Sequence, residues 1–335
     1  GATIDNVSVV EVTDATNIPR IDYTTGEGVV LLEPQSTNLV TYSEDFSDAS
    51  WAGGATTATI TASTNINPSG ENGTYLVENV TGSQLGGVAS VTSGLSYTGS
   101  FYVRNVSGSG AILLRDVNNV ATPFTATSEW QRFSVTGVAT GTGRLYINVL
   151  TTGDIIEVWG AQLEALPYST SYIPTSGAIA TRLADSLTGA GDVNTFNSTE
   201  GVLYFEGSFL QNTSNQQLSL NNGTTSDRII LEVRNSGQLL RFNVRSGDTN
   251  SVEIDQPITA NTFYKLGLLW SGGVAKFYLN GSLVGSDSSV TPPIGINTVS
   301  FNSGASSFPF YGKVKALAVF NEALTDSELE CLTKI

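Results

Sequence analysis

The sequence of 335 residues contains no histidine, no methionine and a single cysteine, Cys331. Without histidine, the Ser-His-Asp and Cys-His catalytic groups and every His-ligated metal site are excluded. One cysteine builds neither an intrachain disulfide nor a structural zinc site. Because methionine is absent, we expect a fragment or a processed piece of a longer chain. Burial of apolar side chains must therefore provide most of the stability.

Charged residues are also scarce, at 13% of the chain, and their net charge is −15. An acidic surface does not attract nucleic acid or an anionic membrane, so we expect neither as a partner. No apolar run reaches the roughly 18 residues of a membrane-spanning helix. There is no P-loop run, and Gly141-Thr142-Gly143 lacks the third glycine of a dinucleotide fingerprint. A glycosidase-type carboxylate pair stays open, because it needs only two acidic groups about 5 to 10 Å apart.

Glycine, serine, threonine and asparagine are abundant and separate short β-rich runs, which is typical of an all-β fold. We expect two antiparallel β-sandwich (jelly-roll) domains joined by a Ser/Thr/Gly-rich linker, with a short C-terminal helix. The expected parts are a lead-in at 1–33 that ends a preceding domain or pairs with the next, a first sandwich at 34–175, a linker at 176–199 and a second sandwich at 200–335.

Each sandwich is predicted from seven strand-like runs. In the first they are 56–62, 73–80, 95–105, 111–117, 130–136, 144–150 and 154–163. In the second they are 202–209, 217–220, 228–234, 239–245, 262–270, 274–280 and 314–320.

The run Val158-Trp-Gly-Ala-Gln-Leu-Glu-Ala-Leu-Pro-Tyr-Ser-Thr-Ser-Tyr-Ile-Pro-Thr175 is the most characteristic segment of the chain. It resembles the "GAQLE…TSYIPT" segment of bacteriophage tail and fibre proteins, where it closes a carbohydrate-binding-module-like jelly roll. The resemblance extends from about residue 18 to residue 185. It implies a virion protein that binds bacterial surface polysaccharide, contacts other virion proteins and forms a homo-oligomer, a trimer by analogy.

The second half resembles laminin-G/concanavalin A-like lectin sandwiches. The resemblance lies in the hairpin Val274-Ala-Lys-Phe-Tyr-Leu-Asn-Gly281 and in the ending Asn321-Glu-Ala-Leu-Thr-Asp-Ser-Glu-Leu329. Asn280-Gly281 predicts a tight hairpin turn with positive φ at both residues. Thr325 and Glu328 fit a capping box that begins a helix of about two turns.

Residues 228–245 predict a hairpin about Ser236-Gly237 with one apolar and one arginine-rich face. The apolar face pairs Val233 with Leu240, Leu231 with Phe242 and Ile229 with Val244. The other face pairs Glu232 with Arg241, Ile230 with Asn243 and Arg228 with Arg245. Arg228, Arg241, Arg245 and Asn243 are therefore candidates to bind acidic groups of a glycan. The alternative is a solvated face with a Glu232–Arg241 pair, although two arginines placed opposite each other repel.

Aromatic side chains are the other candidates, because sugar C–H faces stack on flat rings. Alternation along residues 154–159 displays Trp159 beside Glu157 if Ile156 and Val158 face the core. The alternative is a Trp159 that packs under the following loop. Trp51 in a loop and Tyr278 on a strand of the second sandwich are further candidates, with an edge plug and a solvated strand surface as their alternatives.

No cofactor is expected, except that a structural calcium ion needs only oxygen ligands. Asp116, Asn118 and Asn119 form the densest oxygen cluster of the first sandwich, and Asp45 with Asp48 is a second choice.

These patterns lead us to expect a non-enzymatic adhesin. Two alternatives stay open: a glycan-degrading enzyme with a carboxylate pair, and a purely architectural virion protein.

Overall fold

Alternating apolar residues form antiparallel strands in both halves of the chain. The structure is a computed structural model that describes residues 20–335 except 25, 52–57, 142, 211–213 and 235–237. Of Val88 it describes only the backbone. The first half contains β1 (Arg20–Asp22), β2 (Val29–Leu32), β3 (Ser36–Asn38), β4 (Thr59–Ile66), β5 (Asn72–Glu78), β6 (Gln84–Ala89), β7 (Ser96–Ser107), β8 (Ala111–Arg115), β9 (Ala121–Thr125), β10 (Gln131–Val138), β11 (Gly143–Val149), β12 (Ile155–Glu164) and β13 (Ala180–Arg182).

The second half contains β14 (Glu200–Phe209), β15 (Gln216–Asn221), β16 (Arg228–Arg234), β17 (Leu239–Ser246), β18 (Thr249–Pro257), β19 (Tyr264–Ser271), β20 (Val274–Leu279), β21 (Ser282–Asp287), β22 (Thr298–Ser300), β23 (Gly312–Phe320) and helix α1 (Asp326–Thr333). The predicted all-β class with a short C-terminal helix is confirmed. No helix in the described part of the chain is long and apolar enough to cross a membrane.

Residues 35–182 form one unit, here called the first sandwich. A five-stranded sheet in the order β10-β7-β12-β5-β4 and a four-stranded sheet in the order β6-β11-β8-β9 supply its core. Phe101 and Val158 from the first sheet meet Ile112 and Ile147 from the second in one apolar cluster, all fully buried. Burial of these inward-facing residues holds the two sheets face to face.

Residues 20–34 and 183–335 belong to the other unit, here called the second sandwich. Its seven-stranded sheet has the order β1-β2-β23-β14-β19-β20-β21, and its five-stranded sheet has the order β18-β17-β16-β15-β22. Phe205 and Phe277 from the larger sheet join Leu231 and Phe242 from the smaller one in a single core cluster.

The β16–β17 hairpin has the register that the sequence predicts, with Ile229 opposite Val244 and Arg228 opposite Arg245. The predicted Ser236-Gly237 turn lies outside the described residues. The apolar face of the hairpin is buried in the core of the second sandwich. The alternating pattern fixes this register because a one-residue slip would place arginine in the core.

The segments outside the two expected sandwiches also pair with strands. Strands β1 and β2 extend the larger sheet of the second sandwich, because β2 pairs with β23. Within the segment expected as a linker, β13 pairs with β3, and Ala190 forms a bridge with Val299. The strand expected near residues 4–12 lies outside the described residues.

The C-terminal helix closes the outer face of the second sandwich. Thr325 caps α1 and forms the predicted capping box with Glu328. Leu329 on α1 is fully buried against Tyr278, Leu269 and Val202. The Asn280-Gly281 turn beside it has positive φ at both residues, as predicted.

We predict that Leu329→Ala lowers the free energy of unfolding of the second sandwich by about 2–5 kcal/mol, the usual cost of emptying a buried leucine site. Urea unfolding followed by circular dichroism measures the change. The matched control is Glu330→Ala, an exposed neighbour on the same helix, which should stay within about 0.5 kcal/mol of the parent chain. Equal effects of the two substitutions would contradict a stabilising role of α1 on the outer face of the second sandwich.

Candidate functional site

A groove with a volume of about 380 Å³ lies in the first sandwich, between the β4–β5 hairpin and two irregular segments. One irregular segment precedes β4 and the other follows β12. The lining residues are Tyr42, Glu44, Asp45, Ala62, Ser63, Asn67, Glu71, Asn72, Gly73, Thr74, Tyr75, Thr175 and Ser176. This volume falls within the roughly 300–1,000 Å³ that small-ligand sites occupy.

Asn38 attaches the first irregular segment to β12. Its side chain is fully buried, and its Nδ2 donates to the carbonyl oxygens of Ala161 at 3.0 Å and Ile173 at 2.9 Å. Its Oδ1 accepts from the backbone N–H groups of Leu163 and Val40, both at 3.1 Å. All four hydrogen-bonding positions of the amide are therefore filled.

Ser43 and Thr175 then join the two irregular segments directly. The Ser43 N–H donates to Thr175 Oγ1 at 3.0 Å, and the Thr175 N–H donates to Ser43 Oγ at 2.8 Å. A β-bridge between Tyr42 and Ser176 follows. These bonds hold one wall of the groove in a fixed shape.

The β4–β5 turn forms the opposite wall. Asn67 Oδ1 accepts hydrogen bonds from Ser69 Oγ at 2.6 Å, from the Ser69 N–H at 2.9 Å and from the Glu71 N–H at 3.2 Å. Gly73 follows with φ of 124°, a conformation that other residues rarely adopt. The turn leaves Glu71 and Asn72 exposed at the rim of the groove.

Tyr75 and Asp45 link the two walls chemically. The Tyr75 hydroxyl donates to Asp45 Oδ1 at 2.7 Å, and Ser47 Oγ donates to the same oxygen at 2.5 Å. The hydrogen bonds from Ser47 and Tyr75 hold the pKa of Asp45 below its usual range. Burial is the main cause that raises the pKa of Tyr75. Asp45 therefore remains an anionic acceptor and Tyr75 a neutral phenol near neutral pH.

A buried ion pair supports the hairpin wall. Glu157 is fully buried and pairs with Arg104, whose Nη2 lies 2.6 Å from Glu157 Oε2. Asn65 Nδ2 donates to the carboxylate at 2.9 Å, and the Thr74 hydroxyl donates to it as well. Burial alone would raise the pKa of Glu157, but the hydrogen bonds from Thr74, Asn65 and Arg104 outweigh it and keep this pKa low. Glu157 is thus a structural anion beneath the groove, although the sequence suggested a displayed one.

The expectation that Trp159 is displayed is wrong, because this side chain is only 4% exposed. Its ring packs between Tyr102 and Tyr172, with centroid distances of 5.5 and 4.5 Å. Tyr172 belongs to the loop that follows β12, so Trp159 packs under this loop, as the alternative prediction from the sequence had it. Trp51 is likewise buried, at 2% exposure, and its Nε1 donates to the Tyr42 carbonyl oxygen at 2.7 Å. Neither indole presents a surface to a ligand.

The loop covers Trp159 because two buried polar side chains of β12 bind its backbone. Gln162 Oε1 accepts from the Ile173 N–H at 2.7 Å. Glu164 accepts from the Thr170 N–H at 2.8 Å and from the Thr170 hydroxyl at 2.5 Å. The Gln and Glu of the characteristic run therefore fix the loop.

In the second sandwich, the arginines of the predicted face have different surroundings. Arg228 is 5% exposed, so its expected solvent position is wrong. Arg241 makes a bidentate pair with Asp255 at 2.6 and 2.8 Å and contacts Glu253 at 2.8 Å. The Glu232 opposite Arg241 in the register contributes only to the surrounding charge.

Asn243, Arg245 and Tyr278 complete the predicted residues of the second sandwich. Asn243 is buried, and Arg245 is partly exposed beside it. Tyr278 is 1% exposed, which corrects both readings of it as a surface residue. It lies under helix α1, where burial and a hydrogen bond to Asp326 raise its pKa to about 12.

The predicted calcium ligands are engaged in turn hydrogen bonds. Asp116 Oδ1 accepts from the backbone N–H groups of Asn118 and Val120, both at 2.9 Å. Asn118 Oδ1 accepts from the Thr140 N–H and hydroxyl at 3.0 and 2.9 Å, while Asn119 has a positive φ. In the described part of the chain, no group of three or more acidic, cysteine or histidine side chains could hold a metal ion. Calcium binding stays a prediction.

The sequence did not identify the groove residues as a site. Only Asp45 was a candidate, and for calcium. One wall combines residues 42–45 with residues 175–176, which lie more than 100 residues apart in the sequence. The aromatic signal is carried by two tyrosines that single-strand alternation does not mark. The adjacent Tyr42-Ser-Glu-Asp45, an aromatic residue followed by polar ones between strands, was the available signal.

Residues 193–330 match the model of the concanavalin A-like lectin/glucanases superfamily. This match lies within the second sandwich and supports the laminin-G/concanavalin A-like resemblance read from its sequence. No curated protein matches the chain.

Three solved structures each resemble part of this chain. The Ruminococcus gnavus IT-sialidase CBM40 bound to alpha2,3 sialyllactose has 19% identity and a TM-score of 0.36, and the match covers 44% of this chain and 94% of that one. The SAP-like pentraxin of Limulus polyphemus has 18% identity and a TM-score of 0.34, with 43% of this chain and 72% of that one covered. The Caenorhabditis elegans galectin LEC-6 has 16% identity and a TM-score of 0.30, with 40% of this chain and 90% of that one covered. At this level of similarity they carry no information on a ligand.

We predict that Glu157→Gln lowers the free energy of unfolding of the first sandwich by about 1–3 kcal/mol at neutral pH, because it breaks a charge-assisted network. The folded-state pKa of Glu157 is lowered, so its ionised form stabilises the fold at neutral pH. The difference from the parent should shrink as the pH falls below the ordinary glutamate value of 4.5. Urea unfolding at several pH values measures it, with exposed Glu129→Gln as control. A difference that does not change with pH would contradict the ion-pair role.

Proposed function

We propose that this chain is a non-catalytic glycan-binding protein and that the groove of the first sandwich holds an uncharged segment of a polysaccharide. The observation that carries the proposal is the lining itself. It combines two tyrosines with acidic and amide acceptors and, among the residues that the structure describes, contains no basic one.

Each part of the lining has a role in sugar recognition. The rings of Tyr42 and Tyr75 offer flat apolar faces on which the C–H face of a sugar stacks. Glu44, Asp45 and Asn72 offer acceptors for sugar hydroxyls, which donate hydrogen bonds. The lining carries the carboxylates of Glu44, Asp45 and Glu71 and, among the described residues, no lysine or arginine, so it disfavours an anionic ligand. A neutral, hydroxyl-rich glycan therefore fits best.

The pKa values of Asp45 and Glu157 favour binding over hydrolysis at these two positions. A glycosidase needs one carboxylic acid whose pKa is raised so that it protonates the leaving group. Asp45 in the groove and Glu157 beneath it both have lowered pKa values and remain ionised. Neither of these two can serve as the general acid at neutral pH.

The biological setting that we propose is that of an adhesin on a bacteriophage fibre or tail, exposed on the virion. The Val158–Thr175 run supports it through its resemblance to such proteins, and the lectin-type second sandwich is compatible with it. The ligand would be host surface polysaccharide, and other virion proteins would hold the chain. A shallow groove binds weakly, so a homo-oligomer, a trimer by analogy, would supply avidity.

We predict that Tyr42→Ala lowers the affinity of the chain for its glycan about tenfold, because it removes one stacking face of roughly 1–1.5 kcal/mol. A glycan array identifies the ligand, and isothermal titration calorimetry measures the affinity. The matched control is Tyr23→Ala, at a tyrosine that is 69% exposed and is not one of the residues that line the groove.

Thermal unfolding of both tyrosine variants separates lost binding from lost folding. A fully folded Tyr42→Ala chain with parental affinity for the glycan would refute the groove as the site. Release of new reducing ends from the bound polysaccharide would instead establish the enzyme alternative.

A further inference from the structure

Two arginines face each other on the outer side of the five-stranded sheet of the second sandwich. Arg228 on β16 lies directly opposite Arg245 on β17. Like charges in such cross-strand positions repel each other. Burial and the nearby Arg245 both lower the pKa of Arg228. Glu232 and Asp248 act in the other direction but do not cancel this effect.

Arg228 is held in place by neutral oxygens. Its Nε donates to the Thr225 carbonyl oxygen at 3.0 Å, and its Nη1 donates to Gln217 Oε1 and to the Ser303 carbonyl oxygen, both at 2.9 Å. Among the residues that the structure describes, Nη2 has no hydrogen-bond partner, and it is not one of the unpaired atoms sealed from solvent. The guanidinium is therefore oriented by three bonds and keeps the two N–H groups of Nη2 free.

Arg245 and Asn243 add unpaired groups on the same face. Arg245 contacts the largely exposed Asp248 at 3.4 Å, while its Nε is buried without a partner. Asn243 is 5% exposed, and its Oδ1 is also buried without a partner. Unpaired buried polar atoms are rare in folded proteins and point to a missing partner. The Arg245 side chain is 28% exposed, so this face is partly open to solvent.

Arg241 shows what a neutralised arginine looks like on this sheet. Its guanidinium binds Asp255 through two bonds and Glu253 through a third contact. Among the described residues, neither Arg228 nor Arg245 has a comparable set of carboxylates. The arginine-rich face thus divides into an internal ion-pair network around Arg241 and an arginine pair whose direct carboxylate contact is the largely exposed Asp248.

We propose that Arg228 and Arg245 form a subsite for the carboxylate of an acidic sugar, with Asn243 accepting a hydrogen bond from a neighbouring sugar hydroxyl. A carboxylate matches the planar donor fork of arginine. A hexuronate carries the carboxylate and the hydroxyl on one ring, so it satisfies the donors and the acceptor together. The subsite rests on the proposed function in one respect only, that the ligand is a glycan. Its chemistry is opposite to that of the groove.

The test compares tetragalacturonate with its carboxyl-reduced counterpart as ligands of the full chain in isothermal titration calorimetry. The parent chain should bind the acidic form at least tenfold more tightly. Arg245→Gln should remove this preference. The matched control is Arg234→Gln on the same sheet, which loses the same charge but has Glu232 as a distant partner at 3.9 Å; it should change the affinity less than twofold.

Several outcomes would overturn the subsite. One is an equal affinity of the parent chain for the two ligands. Another is an equal loss of affinity for tetragalacturonate in Arg245→Gln and Arg234→Gln, because equal losses would indicate only long-range attraction. The Tyr42→Ala chain separates the two proposals, because it should bind tetragalacturonate as the parent does. Loss of tetragalacturonate binding in Tyr42→Ala but not in Arg245→Gln would assign the acidic ligand to the groove.

Discussion

The groove depends on a small set of buried hydrogen bonds that connect segments without regular secondary structure. Asn38 binds backbone groups of β12 and of the loop that follows it, and Ser43 exchanges two hydrogen bonds with Thr175. An apolar residue at position 38 would leave two carbonyl oxygens and two N–H groups buried without partners, each costing about 1–3 kcal/mol. These bonds place Tyr42, Glu44 and Asp45 opposite the β4–β5 hairpin. The polar side chains at these positions thus determine the shape of the site.

The same constraint explains the run from Val158 to Thr175. Its Gln162 and Glu164 bind the loop backbone, and its Trp159 lies beneath that loop. The run carries structural information more than ligand contacts, and its contribution to the groove is Thr175 at the end of it. A conspicuous sequence signature can therefore lie beside a binding site and shape it without supplying the recognition residues.

Local patterns predicted the strands, the β16–β17 register, the Asn280-Gly281 turn and the capping box of α1, because each depends on residues close in sequence. Strands at sheet edges were missed, among them β6, β9, β13, β18, β21 and β22. Of these, β9, β18 and β21 are largely exposed, so their sequences carry little apolar alternation. The exposure of individual side chains was harder to predict than the pairing of strands. Trp159, Arg228 and Tyr278 all lie on outer faces of their sheets, as alternation predicts. A loop or a helix then covers Trp159 and Tyr278, and Arg228 is held by the carbonyl oxygens of two loops. Single-strand alternation does not contain that information.

The most direct measurement is backbone amide chemical-shift mapping as a neutral oligosaccharide, selected from the glycan array, is added to the full chain. We predict saturable shifts concentrated at residues 42–45, 67–75 and 175–176, with the second sandwich little changed. Saturable shifts confined to the second sandwich would contradict the groove as the glycan site.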